Sequence, residues 1–168
     1  MASEVTKPQV VEFVRDRDKT GHGDPEDKVR NIEQFADGTR WALEALGKQD
    51  FLKLVFLKMS GKGAWTTGIT ACSRTLREVA VAALNDTGPG FNRDHERFRI
   101  YYDNPNFEIC RDDPIILREA WGDETRFGEW YILDGNGRSL AYAMHVMNGT
   151  TAYRSVWAYK ASRLPMES

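Results

Sequence analysis

Residues 130–157, WYILDGNGRSLAYAMHVMNGTTAYRSVW, decide how the second half of the chain folds. Two Asn-Gly pairs interrupt the run, at Asn136-Gly137 and Asn148-Gly149. Asn-Gly tolerates positive φ at both positions, which tight hairpin turns require. With two-residue loops at Gly135-Asn136 and Asn148-Gly149, the stretch becomes an antiparallel meander. Alternation then sorts its residues onto two faces. Tyr131, Leu140, Tyr142, Met144, Tyr153 and Trp157 form a bulky aromatic face. Ala141, Ala143 and Ala152 form a shallow opposite face, interrupted by Trp130, His145 and Arg154. Small residues let something approach closely. That is either one of the protein's own helices, with the Ala-rich segment 70–85 as the first candidate, or a ligand or partner.

The glycines of DGNG do not spell a phosphate cradle. The dinucleotide fingerprint needs a third glycine and a following helix, and a hairpin accounts for the same residues. The segment SGKGAWTTG at 60–68 fails as a P-loop, because Lys62 is followed by Gly63 where Ser or Thr is needed. Histidine side chains titrate near neutrality, which makes His145 the candidate general base. No carboxylate or nucleophile is set beside it in this register, since Glu129 projects to the other face. His22 and His95 lie in polar loop contexts, and Cys72 and Cys110 form no CxxC pair. No metal-ligand spacing results, and neither a metal nor a cofactor is expected. The acidic pairs Asp112-Asp113 and Asp123-Glu124 read as solvated turn residues.

Working outward, Arg97 to Asp103 also alternates. Phe98, Ile100 and Tyr102 fall on one side, and Arg97, Arg99 and Tyr101 on the other, as in a strand. FEIC at 107–110 reads as the next strand, and DDPIILREAWGDE as a short helix opening at Pro114. The first half reads as helical. One helix covers 6–16 with Val10, Phe13 and Val14 inward. A second is capped by Asp24, starts at Pro25 and runs to Leu46, weakened at Gly38 and stopped by Gly47. FLKLVFLKM at 51–59 reads as a buried helix after Asp50. TACSRTLREVAVAALN at 70–85 is amphipathic, with Cys72, Leu76, Val79, Ala80 and Ala83 on one face.

Composition narrows the class. The 168 residues suit one domain, and 41% hydrophobic with 29% charged is the balance of a folded chain. A net charge of −2 provides no broad field for nucleic acid. No apolar run reaches the roughly 20 residues of a membrane span. The N-terminal MASEVTKPQVVEF lacks the apolar core of a secretory signal, so an intracellular, cytoplasmic location is expected.

The expectation is therefore a single α+β domain over 1–168: mainly helical at 1–88, mainly β at 89–160, with a tail at 161–168. About four helices would pack on one face of an antiparallel sheet of roughly four to six strands. This arrangement resembles the helix-backed curved sheets of cystatin-like or nuclear-transport-factor-like proteins, a likeness of fold that implies no function. Five Trp, six Tyr and eight Phe without a catalytic pattern point to a non-enzymatic binding or assembly protein. It would engage a protein partner, or itself, through the aromatic sheet surface, with Trp130, His145, Arg154, Trp157, Tyr153 and Trp121 as binding residues. Two alternatives stand beside it. One is a small isomerase, dehydratase or hydrolase with a sheet-lined pocket around His145, where Arg154 orients an anionic substrate. The other is a single-stranded nucleic-acid binder using Arg97, Arg99 and Tyr101.

Overall fold

In the computed structural model, which describes residues 2–17, 25–56, 74–85 and 96–163, strands and helices interleave along the whole chain. The order begins β1 (Ser3–Val5), α1 (Lys7–Arg17), α2 (Pro25–Glu33), β2 (Arg40–Leu46), α3 (Lys48–Lys53) and β3 (Val55–Phe56). It continues with β4 (Arg74–Thr75), α4 (Leu76–Leu84), α5 (Glu96–Tyr102) and β5 (Ile115–Glu119). A 3-10 turn (Gly122–Arg126), β6 (Trp130–Asp134), α6 (Asn136–Met147) and β7 (Val156–Ser162) complete it. The expected cap at Asp24, and Cys72, His22, His95 and the 60–68 segment, lie outside the described residues.

The seven strands form one sheet in the order β1-β2-β7-β5-β6-β3-β4. It is mixed: β5 runs parallel to β7 and β3 parallel to β6, whereas the remaining pairs are antiparallel. The α+β class holds, but the antiparallel meander does not form. Nor do helices precede strands, since four strands come from the first 88 residues.

The meander fails at its two Asn-Gly pairs, and for one reason. Positive φ serves a helix boundary as well as a hairpin. Gly135 takes φ +98° and is the N-cap of α6, between the end of β6 and the first helical turn. Asn148 caps the other end, and Gly149 follows at φ +79°, the left-handed conformation that commonly closes a helix. Between them Leu140 to Val146 are all buried. A helix buried on every side shows no 3.6-residue period, and its alternation of large and small residues imitates a strand.

Adjacent residues of the central strands feed opposite cores. Ile115 and Leu117 of β5, with Ile132, Val156 and Ala158, pack against Phe51, Leu76, Val79, Phe98, Leu140 and Met144 from α3, α4, α5 and α6. Ile116, between them, joins Trp41 and Ala161 under Val10, Val14, Val29 and Ile32 from α1 and α2. Helices thus cover both faces, not one. The expected apolar face of the Ala-rich helix is correct, since Leu76, Val79, Ala80 and Ala83 are all fully buried. Thr75 and Glu78 close a capping box at its start. This helix packs on α6, so the small residues Ala141 and Ala143 are covered by the chain's own helix.

Other segments also differ from expectation: of FLKLVFLKM, read as one buried helix, 51–53 are helical and Val55–Phe56 is the strand β3, with 57–59 outside the described residues. Arg40–Leu46 is a strand paired on both sides, with β1 and β7, although its Ala, Leu and Glu favour a helix. Ile115–Glu119 is a central strand, not a helix after Pro114. Glu96–Tyr102 is a helix, with Phe98 and Tyr102 stacked at 5.0 Å one turn apart. FEIC forms no strand, although the Trp157 amide donates to the Ile109 carbonyl at 3.0 Å.

Gly135 leaves no room for a side chain: a Cβ there would lie 2.6 Å from Ile115 Cγ2. Gly135→Ala therefore combines left-handed strain with overpacking and should cost about 3 kcal/mol. Urea unfolding measures this. A loss below about 0.5 kcal/mol, the size of a neutral surface change, would contradict the assignment.

Candidate functional site

The β6–α6 junction gathers charge. Asp134, with a side chain 15% exposed, accepts from Arg17 at 2.7 Å and lies 3.4 Å from the Lys28 ammonium. Arg17 also pairs with Asp113 at 3.2 Å. Arg138, 2% exposed, reaches the same Asp113 carboxylate at 2.8 Å and donates to the Asp113 and Pro114 carbonyls. Asp113 is the partly exposed turn residue expected, but it also pairs with two arginines. Burial raises the Asp134 pKa, but Arg17, Lys28 and Arg138 outweigh it and hold the carboxyl below its ordinary value. Burial likewise opposes the Arg17 charge, and Asp134 with Asp113 reverses that effect. Arg138 Nε and Ser139 Oγ, both buried, have no hydrogen-bond partner. Arg138 Nε stands 3.1 Å from where a Cβ on Gly135 would be, so the guanidinium lies close against the start of its own helix. Among the described residues the junction is a clamp of three cations and two carboxylates.

The residues expected to share one surface are dispersed. His145 lies in α6, 5% exposed, its ring stacked 4.9 Å from Tyr102 and its Nε2 2.9 Å from the Tyr102 carbonyl oxygen. That oxygen can only accept, so Nε2 carries the proton, and Nδ1 has no partner. His145 is not among the residues lining the three clefts that Trp121, Trp130 and Arg154 border. Arg154, exposed, pairs with Glu108, and its main chain is bound through both N–H and C=O to the Tyr142 hydroxyl. Tyr153 donates to the Leu46 carbonyl at 2.8 Å, and burial pushes its hydroxyl up to about 12. Trp157 lies under Arg111, with the guanidinium 5.4 Å from the ring centroid. Trp130 carries the Lys160 ammonium 4.1 Å above its ring, beside a cleft of about 540 Å³. The basic strip is broken too. On a helix, residues two apart face nearly opposite ways, so Arg99 turns outward to Asp103 at 2.9 Å while Tyr101 packs on Phe107 at 5.3 Å.

Trp121 stands apart, 65% exposed. It borders a groove of about 650 Å³. One wall is the end of α2 and the loop after it, with Asn31, Gln34, Phe35 and Thr39. The floor is the sheet, through Leu133 and Ala161. The opposite wall is the 3-10 turn. That turn is held to β5 by a two-pronged pair, Arg118 to Glu124 at 2.7 and 2.9 Å. The hydrogen bond from Arg118 lowers the Glu124 carboxyl pKa. Tyr131 adds a bond from its hydroxyl to the Glu124 carbonyl at 3.0 Å. The Arg163 guanidinium carbon lies over Trp121, 3.3 Å from the ring centroid. Trp121 was expected at a binding surface; Phe35, Arg118, Leu133 and Arg163, which border the same groove, were not, because they meet only through sheet topology.

Among the described residues no group of three or more His, Cys, Asp or Glu side chains is placed to hold a metal ion, and no helix is long and apolar enough to cross a membrane. The chain matches no protein-family model, no curated protein and no solved structure.

The clamp makes a pH prediction. Asp134 binds its proton more weakly folded than unfolded, so its stabilisation is full above the unfolded carboxyl pKa of about 3.9 and is lost as pH falls through the depressed folded value. Asp134→Asn should cost about 3 kcal/mol at neutral pH, because Arg17 and Lys28 each lose the buried carboxylate they share, and should flatten the acid limb of stability. Urea midpoints measured from pH 2 to 7 check both effects; an unchanged acid limb would remove Asp134 from this role.

Proposed function

We propose that this protein is a non-enzymatic binding protein that holds a segment of a protein partner in the groove between α2 and the 3-10 turn, with Trp121 as the anchor. The exposure of Trp121 carries the reading. A tryptophan left in water beside an apolar floor leaves unclaimed the burial energy that makes such residues dominate interfaces. The support beneath it is rigid: the Arg118–Glu124 pair and the Tyr131 hydrogen bond fix the turn, so little ordering cost falls on association. The buried environment of His145 favours this reading over an enzyme centred on that residue.

Titration with small indole and alkyl-amide fragments, followed by two-dimensional NMR, tests it. The Trp121 indole and the Leu133 and Ala161 methyl signals should shift together and saturate. Trp121→Ala should weaken fragment binding by about five- to tenfold, the equivalent of roughly 1 kcal/mol. Shifts scattered over the surface, or equal binding by Trp121→Ala, would overturn the proposal.

A further inference from the structure

Resting on that reading, we infer that the partner segment is an extended peptide carrying a carboxylate next to its apolar anchor, and that the Arg163 guanidinium receives this carboxylate. Four charged residues border the groove, and the side chains of three of them are held by direct hydrogen bonds. Arg118 is neutralised by Glu124 through both of its terminal nitrogens. The Glu119 carboxylate accepts the main-chain N–H of Arg163 at 2.9 Å. The Arg163 guanidinium carbon lies 3.3 Å from the Trp121 ring centroid. Its charge acts on the Glu124 carboxylate through space, but the guanidinium makes no ion pair within 4 Å among the described residues. Stacking covers a face of the guanidinium and leaves its in-plane N–H donors available, the geometry that suits a carboxylate. An apolar group seated beside Trp121 would place a neighbouring acidic group within reach of those donors.

The facing wall selects a peptide. Asn31, Gln34 and Thr39 present amide and hydroxyl groups along it, and none makes a side-chain hydrogen bond among the described residues. Such groups can pair with the N–H and C=O groups of an extended main chain, which must be satisfied when it leaves water. A free organic acid would leave that wall unused.

Selection of a phage-displayed random decapeptide library on the wild-type protein, Trp121→Ala and Arg163→Gln tests the inference. Both altered residues are exposed, so the fold is expected to persist. The wild type should enrich peptides with Asp or Glu within two positions of an aromatic or aliphatic residue, and Trp121→Ala should not. The strongest peptide, synthesised with its acid and with the corresponding amide, should bind the wild type about three- to fivefold better as the acid, a modest ratio suited to an exposed pair. Arg163→Gln should abolish that ratio while still binding the amide form. Enrichment that depends on Trp121 but shows no acid preference, or an acid preference that survives Arg163→Gln, overturns this inference and leaves the groove reading standing. Absence of enrichment over Trp121→Ala overturns both.

Discussion

The Arg138 guanidinium, sealed inside the protein, sets the geometry on which the other elements rest. An arginine cannot shed its charge, so burying it requires acceptors held in place. Arg138 finds them in two consecutive carbonyls, those of Asp113 and Pro114, just before β5, with the Asp113 carboxylate 2.8 Å away as counter-charge. The same Asp113 meets Arg17 at the end of α1, and Arg17 meets Asp134 at the end of β6. Lys28 of α2 completes the set. Three cations and two carboxylates therefore join α1, α2, β5, β6 and α6 at one place. Such a cluster stabilises less than an equal volume of hydrocarbon would, but removing one member strands the others without compensation. Its effect is to define one arrangement: β6 must end, and α6 must begin, where Asp134 and Arg138 can both be satisfied.

That constraint bears on the groove. With α6 turned to one face of the sheet by Gly135, the opposite face is left to α1 and α2, which lie over Trp41, Ile116 and Ala161. They do not extend over the far end of β5. There the chain makes the 3-10 turn, anchored by Glu124 on Arg118, and a strip of sheet remains between turn and helix. The groove is thus a consequence of two short coverings meeting a wider sheet. Its floor belongs to a packed core: Ala161 lies opposite Trp41 across the β2–β7 ladder, and Trp41 meets Phe35 edge-on at 5.3 Å. A floor tied into the core cannot readily collapse to fill the space above it.

How much of this was legible in the sequence follows from where local and tertiary signals agreed. The helices at Lys7–Arg17, Pro25–Glu33 and Leu76–Leu84 were readable from one polar and one buried side, but not their bounds: the last was expected from residue 70, whereas Arg74–Thr75 is a strand, and the second was expected to run on to Leu46. The strands at Trp130 and Val156 were readable from their aromatic and aliphatic alternation. Elements that lie inside the protein were not. In α6, Leu140, Tyr142 and Met144 alternate with small residues, and burial on all sides removes the helical period. The overlooked signal was propensity, since Leu140, Ala141, Ala143, Met144 and Met147 are all good helix formers and Val146 is the lone β-branched residue there. In β5, Ile115 and Ile116 were the corresponding sign of a strand, overridden by a proline that can precede either element. For Arg40–Leu46 no local sign existed; pairing on both edges overrode helical residues.

The site divides along the same line. Residues were grouped on one surface because a hairpin register placed them there, and when the register dissolved the group dissolved with it. His145, Tyr153 and Trp157 went into or against the cores, where aromatic rings are held by neighbours such as Tyr102, Phe51 and Arg111. Trp121 escaped because it lies in a turn stabilised by bonds that do not use its own ring: its main-chain N–H donates to Glu124, and Glu124 is fixed by Arg118. A side chain unneeded for the fold of its own turn, yet large and apolar, is free to serve a contact outside the chain. The aromatic count of the sequence therefore signalled mostly core, and the single tryptophan with a functional claim among the described residues is the one that packing left aside.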